Sequence, residues 1–257
     1  MAFEEVVFVR QEGEFRMVLG ITGVPKDFRQ RHPNRISIEW TYTPGQNGFP
    51  ERGDLQTIQK SEERAMAALH DLGAIFVGHY YGDGRLVSTF HSRVKLDSPL
   101  KVKSGLLRRE TFELVNHHDP EWEYYTTMLE PNPVEYQLYR SHQLFATLAA
   151  NGDVHTVVRP VDFGMSFPTD AARSAAIAEA EKLGYRTNSR SDEGWIFVEL
   201  QKDTAIDRDS LARILEELLA VVERHGGGFD GWACPVVRKL PEHASENIWA
   251  EPVQGGN

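Results

Sequence analysis

The sequence predicts an α+β protein of two domains, and three observations carry that expectation. Segments in which apolar residues alternate with polar ones are interleaved with segments in which apolar residues recur every three or four positions. Glycines sit where helices should stop and hairpins should turn. The triplet Pro131-Asn132-Pro133, lying between packed segments, marks a boundary, so the domains are read as 1–133 and 134–257.

In the first domain, residues 4–10 and 15–21 read as two strands around the turn Glu12-Gly13-Glu14. A looser segment rich in Pro and Arg leads to Ile36–Tyr42, whose alternation of Ile, Ile, Trp and Tyr suits a half-buried strand. After a loop over 44–53, Asp54 is expected to cap a helix with the apolar stripe Leu55, Ile58, Ala65, Leu69 and Leu72, closed by Gly73. Residues 74–81 and 85–91 flank Gly82-Asp83-Gly84, a strong hairpin signal. A basic connection over 92–106 precedes an expected strand over 107–116. Asp119-Pro120-Glu121-Trp122 then opens a short helix, with Asp as cap, Pro in the first turn and Glu at the positive end of the dipole.

The second domain is more regular. A helix over 134–150 precedes a strand over 154–163, an Ala-rich helix over 168–183 ended by Gly184, and strands over 185–189 and 195–200. Ile206, Leu211, Ile214, Leu215, Leu218, Leu219 and Val222 mark the last helix, which Gly226-Gly227-Gly228 releases into a final strand over 229–237. The order after the first helix is β-α-β-β-α-β. That order predicts a ferredoxin-like antiparallel sheet with its helices on one face. Trp232 is expected to be largely buried, anchoring the last strand against the helix over 207–225, with Gly231 allowing a close approach beside it.

Composition narrows the function classes. Hydrophobic content of 40% supplies an adequate core, and the single cysteine, Cys234, cannot form an internal bridge, so a reducing compartment, the cytoplasm, is expected. No basic, apolar leader opens the chain, and no run is long enough to span a bilayer, so no membrane role is expected. Basic and acidic residues number 16 and 19 over 1–134 but 12 and 19 over 135–257, which concentrates the net charge of −10 in the second half. Such a balance disfavours direct nucleic-acid binding and suits a basic protein partner.

Lys182-Leu183-Gly184-Tyr185 and Phe229-Asp230-Gly231-Trp232 resemble the signature of the regulator of ribonuclease E activity B family, over roughly the last hundred residues. Gly78-His79-Tyr80-Tyr81-Gly82-Asp83-Gly84-Arg85 and Asp119-Pro120-Glu121-Trp122-Glu123-Tyr124 are similar to a bacterial domain of unknown function often fused in front of it. The resemblance implies a ferredoxin-like protein that binds a ribonuclease and lowers its activity without catalysis. The tail differs from the family pattern, because Glu242, Glu246 and Glu251 are its only acids over 241–257.

Each candidate for chemistry has a plainer structural reading. His117-His118-Asp119 with Glu121 is the most metal-like cluster, but adjacent histidines rarely converge and Asp119 already caps a helix. Cys234 beside a histidine such as His155 would make a nucleophile, yet its neighbours are apolar and strand-like. Gly82-Asp83-Gly84 and Gly226-Gly227-Gly228 do not precede helices, so neither forms a phosphate loop. Trp40, Tyr80, Tyr81 and Trp122 alternate as core residues do rather than as a base-stacking platform. Asp230, between aromatics and a glycine, and Asp162, on a strand expected beside it, either satisfy local amides or face a partner. No nucleophile elbow is present.

The leading expectation is therefore a non-catalytic, cytoplasmic regulator that binds a ribonuclease or another basic protein, with Asp162, Asp230 and Trp232 as candidate partner-binding residues and with no catalytic residue, cofactor or metal. The alternative is an enzyme or small-ligand binder with a site between the domains, recognisable by a cleft collecting His79, His117, His118 and carboxylates.

Overall fold

A computed structural model of the chain describes residues 3–10, 16–45, 48–104, 108–188 and 196–238. The chain is α+β and divides into two compact units, Met1–Tyr139 and Arg140–Asn257. That division falls inside the helical run that the sequence places wholly after Pro133. The run is two helices, α3 (Pro133–Arg140) and α4 (His142–Ala150). Tyr136 and Tyr139 of α3 pack on the core of the first unit, and Glu135 holds the guanidinium of Arg10 there.

The first unit is built on a six-stranded antiparallel sheet in the order β1-β2-β4-β5-β3-β8. Its strands are β1 (Glu4–Arg10), β2 (Arg16–Thr22), β3 (Asn34–Thr41), β4 (Ile75–Gly82), β5 (Arg85–Ser92) and β8 (Val115–His118). Helix α2 (Arg52–Asp71) covers one face, where Ala65 and Leu69 meet Ile36, Ile38 and Phe90. On the other face Val6, Phe8, Val18, Ile21 and Val77 pack with Trp122, Tyr125 and Leu129. Strand β5 is therefore covered on both sides and buried from Leu86 to Ser92.

Several local expectations are corrected. The Pro/Arg-rich segment contains a short helix, α1 (Lys26–Gln30). Asp54 lies in the first turn of α2 rather than at its cap, because the helix starts at Arg52 with Glu51 as an N-cap that makes no side-chain bond. Leu72 is exposed, since the chain leaves the helix one residue before Gly73. The basic connection pairs as a ribbon, β6 (Leu100–Lys103) with β7 (Arg109–Phe112), and the strand expected over 107–116 is broken between β7 and β8. The helix expected to open at Pro120 starts later: Pro120 and Glu121 form a turn, Trp122 takes φ +57, and the Asp119 carboxylate accepts the N–H groups of Glu123 and Tyr124 beyond that turn. The short helix behind it is a π-turn, Tyr125–Leu129. The turn at Glu12-Gly13-Glu14 lies outside the described residues.

The second unit contains a four-stranded sheet of β9 (Arg159–Phe167), β10 (Arg186–Asn188), β11 (Ile196–Thr204) and β12 (Gly228–Ala233), all antiparallel, in the order β10-β11-β9-β12. With α5 (Asp170–Lys182) and α6 (Arg208–Arg224) the chain order is β-α-β-β-α-β. The inner residues of β9 are Val161, Phe163, Met165 and Phe167, every second position and all buried. Opposite them α6 buries Leu211, Ile214, Leu215, Leu218, Val221 and Val222. Thr169 and Asp207 cap the two helices through the N–H groups of Ala172 and Ser210. After α6 the residue expected to release the chain does so: Gly226, at φ +63, lets its own N–H reach Glu223 O and that of Gly227 reach Val222 O.

A buried ion pair closes this unit below the sheet. Arg159 at the start of β9 pairs with Asp153, and their side chains are 1% and 0% exposed. Arg159 also donates to the carbonyls of Val154, Val157 and Pro235, while Asp153 accepts the N–H of Val237. The segment before β9 is thereby fastened to the chain that follows β12.

Candidate functional site

Two of the candidates, Asp162 and Asp230, lie on the outer face of the second sheet, turned away from α5 and α6. Alternation along β9 sends Asp162, Gly164 and Ser166 to this face. Their partners on β11 are Gln201, Glu199 and Phe197, and Asp203 pairs with Pro160. Asp162 accepts a 2.7 Å bond from the amide of Gln201, so its carboxylate is held in place. The Asp203 carboxylate is paired with Arg186, which also donates to Gln201.

Strand β12 contributes through a bulge. Phe229 pairs with Met165, Gly231 with Gly164 and Trp232 with Phe163, leaving Asp230 as an extra residue. Asp230 is exposed on the outer face, with only a 3.4 Å bond from Ser166 Oγ. It satisfies no backbone amide among the described residues. Gly231 adopts φ +141, a conformation that L side chains rarely take.

Asp162 and Asp230 thus share a face, and Trp232 does not. Trp232 lies opposite the buried Phe163 on the inner face and is half-buried. Its indole N–H donates to Ser141 Oγ at 2.8 Å and its ring packs on Phe145 at 5.5 Å. Strand β12 packs on α6 as expected, but Trp232 itself is half-buried rather than largely buried and makes its bond and ring contact at the start of α4. The close approach expected at Gly231 belongs instead to Gly227, where a Cβ would lie 2.6 Å from the Phe167 ring and Ser166 O.

Glu199 and Asp203 were not singled out from sequence. The alternation Phe197, Glu199, Gln201, Asp203 carries the signal, but the polar run Gln201-Lys202-Asp203 hides how far β11 extends. With Asp162 and Asp230 they give the face four carboxylates against the single guanidinium of Arg186 among the described residues. The arrangement offers charge and shape for binding.

The other candidates separate. His79 accompanies Ser88 on the α2 face of the first sheet, where both bond to the buried Glu62 at 2.6 and 2.5 Å. His117 pairs with Arg35 and His118 with Asn34, so the two neighbours point to opposite faces of β8. No group of three or more His, Cys, Asp or Glu side chains converges as metal ligands among the described residues. Cys234 is half-buried, and burial pushes its thiol up from the ordinary value, away from nucleophilic thiolate. Trp122 and Tyr81 are core residues, and burial, aided by the charge of Glu62, raises the Tyr81 phenol to about 12.

No helix among the described residues is long and apolar enough to cross a membrane. No curated protein matches the chain. Residues 15–130 match the model of a family of unknown function, DUF695, and residues 140–234, which include the whole four-stranded sheet, match that of the Regulator of ribonuclease activity B. The chain is thus similar to two families in tandem, a domain of unknown function followed by a ribonuclease regulator, in the order that its sequence motifs imply.

Proposed function

We propose that this chain is a non-catalytic cytoplasmic regulator whose ferredoxin-like second domain, 134–257, binds a basic protein partner through the outer face of its sheet. The observation that carries this reading is the set Asp162, Glu199, Asp203 and Asp230 gathered on one face by the three adjacent strands β11, β9 and β12. Carboxylates arrayed this way steer a positively charged surface into register. A ribonuclease is the partner class to which the similarity over 140–234 points. Asp230, projecting from a bulge with little internal bonding, is the residue best placed to meet such a partner, and Asp162 braces the centre of the face.

The test is binding of the full chain to purified ribonucleases by surface plasmon resonance, with nuclease activity followed in parallel. Reversing both charges, Asp162→Lys with Asp230→Lys, should slow association and weaken binding by about tenfold or more, with a shallower salt dependence. A doubly reversed protein that melts like the parent and still binds and inhibits equally well would remove this face from the mechanism.

A further inference from the structure

Arg35 differs from the paired arginines among the described residues. Arg10, Arg29, Arg64, Arg159 and Arg186 each hold a carboxylate. The guanidinium of Arg35 meets no acceptor among the described residues, and its Nε is out of contact with solvent as well. An unsatisfied buried donor of this kind is costly, and its persistence calls for an occupant.

The surroundings define that occupant. Arg35 stands in the middle of a row across the first sheet, directly opposite His91 of β5 on one side and His117 of β8 on the other. His91 is wholly buried and stacked on Trp122 at 3.8 Å, with its Nε2 also unpartnered. The Arg35 guanidinium lies over the Tyr124 ring at 4.1 Å, which fixes its plane and leaves its edge to act as a fork. Arg35 lines a cup of about 360 Å³ together with Tyr124, His117, His118, Asp119 and Glu123. Asp119 does not compete for Arg35, because its two oxygens accept the N–H groups of Glu123 and Tyr124. Glu123 is exposed and sits among the lining residues without pairing with the guanidinium.

We propose that the first unit binds a small-molecule oxyanion, a carboxylate or phosphate head group, in this cup, with Arg35 as the bidentate donor and His117 as its flanking donor. Bidentate charge-assisted bonds to a planar guanidinium are the strongest contact such a head group can make, and Tyr124 preorganises it. Asp119 and Glu123 tune the preference toward the less highly charged form of the anion.

The experiment titrates the full chain with sodium acetate and, separately, inorganic phosphate at constant ionic strength, following the ring resonances of His117 and His118 by NMR and the heat by calorimetry. Saturable one-to-one binding of either probe is expected, and the better of the two identifies the head group. Arg35→Met should weaken it by about tenfold or more, and Arg35→Lys should not restore it, because a lysine offers neither fork nor stack. His117→Ala, on an exposed edge strand, provides a folded control that should bind severalfold more weakly. Non-saturable shifts for both probes, or unchanged affinity in a folded Arg35→Met or His117→Ala protein, would overturn the proposal.

Discussion

Replacing Asp153 by Asn takes one charge out of a pair that solvent does not reach. The side chains of Asp153 and Arg159 are 0% and 1% exposed, so the guanidinium would keep its charge in a site built around a carboxylate. Removing one partner of a buried pair costs about 3–5 kcal/mol. Arg159 retains the carbonyls of Val154, Val157 and Pro235, and an Asn oxygen still accepts the Val237 N–H, which puts Asp153→Asn near the lower end, about 3 kcal/mol. For a unit of this size that is a fall in melting temperature of about 10–15 °C. Differential scanning calorimetry of the full chain would read it, with the first unit as an internal control. The acid side gives a second readout. Burial raises the Asp153 carboxyl, but the bonds from Val237 and Arg159 and the nearby charges outweigh it, so its pKa in the folded protein lies below the ordinary value. Its contribution is present above the ordinary carboxylate pKa and is lost as pH falls through the depressed one, a limb that Asp153→Asn should lack. The double change Asp153→Leu with Arg159→Met should cost less than Asp153→Asn alone. Melting of Asp153→Asn within about 2 °C of the parent would refute the assignment of this pair as the clasp of the unit.

Three further outcomes follow from the fold. Burial holds His91 down to about 4, so the unfolded chain binds its proton first; stability of the first unit is full above about 6.5 and should fall by about 1.4 kcal/mol per unit as pH drops from there toward 4, a slope that pH-dependent urea melts should find reduced in His91→Gln. Trp232→Phe keeps the ring against Phe145 but loses the bond to Ser141, and chemical denaturation should show a cost of about 1 kcal/mol, against about 2–3 for Trp232→Ala. Gly78→Ala would place a Cβ 2.5 Å from the Leu19 carbonyl at a φ of +150, and a loss of at least about 2 kcal/mol is expected in thermal melts; an unchanged melting point would mean that β2 and β4 can part without penalty.

The parts of this fold that sequence reveals are those set by local chemistry. Leu-Gly and His-Gly helix stops read correctly because the left-handed residue after a helix is nearly always glycine, and Gly73, Gly184 and Gly226 all take positive φ. The order β-α-β-β-α-β followed from the same signals. Long-range pairing was harder to read. β8 pairs with β3 across some eighty intervening residues, and nothing in Val115–His118 announces it. Arg35 carried no signal at all, because an unpaired guanidinium is defined by neighbours that are remote in the chain. Asp162 and Asp230 were legible as acids on adjacent strands, whereas the partners of Trp232 at the start of α4 were not, because period-two reasoning cannot see what borders an edge strand. Asp54 illustrates the limit at helix starts, where several polar residues in a row compete for the cap.

The bulge at Asp230 separates what the last strand contributes to folding from what it displays. Phe229, Gly231 and Trp232 face inward, outward and inward as an uninterrupted strand would place them, with Asp230 supernumerary. Deleting residue 230 or residue 231 would therefore remove the bulge and leave the facing of the rest of the strand intact, whereas deleting Trp232 would turn the end of the strand over. A single-residue indel here can add or erase an acidic group without disturbing the sheet. The display on this face can accordingly drift during evolution independently of the scaffold beneath it.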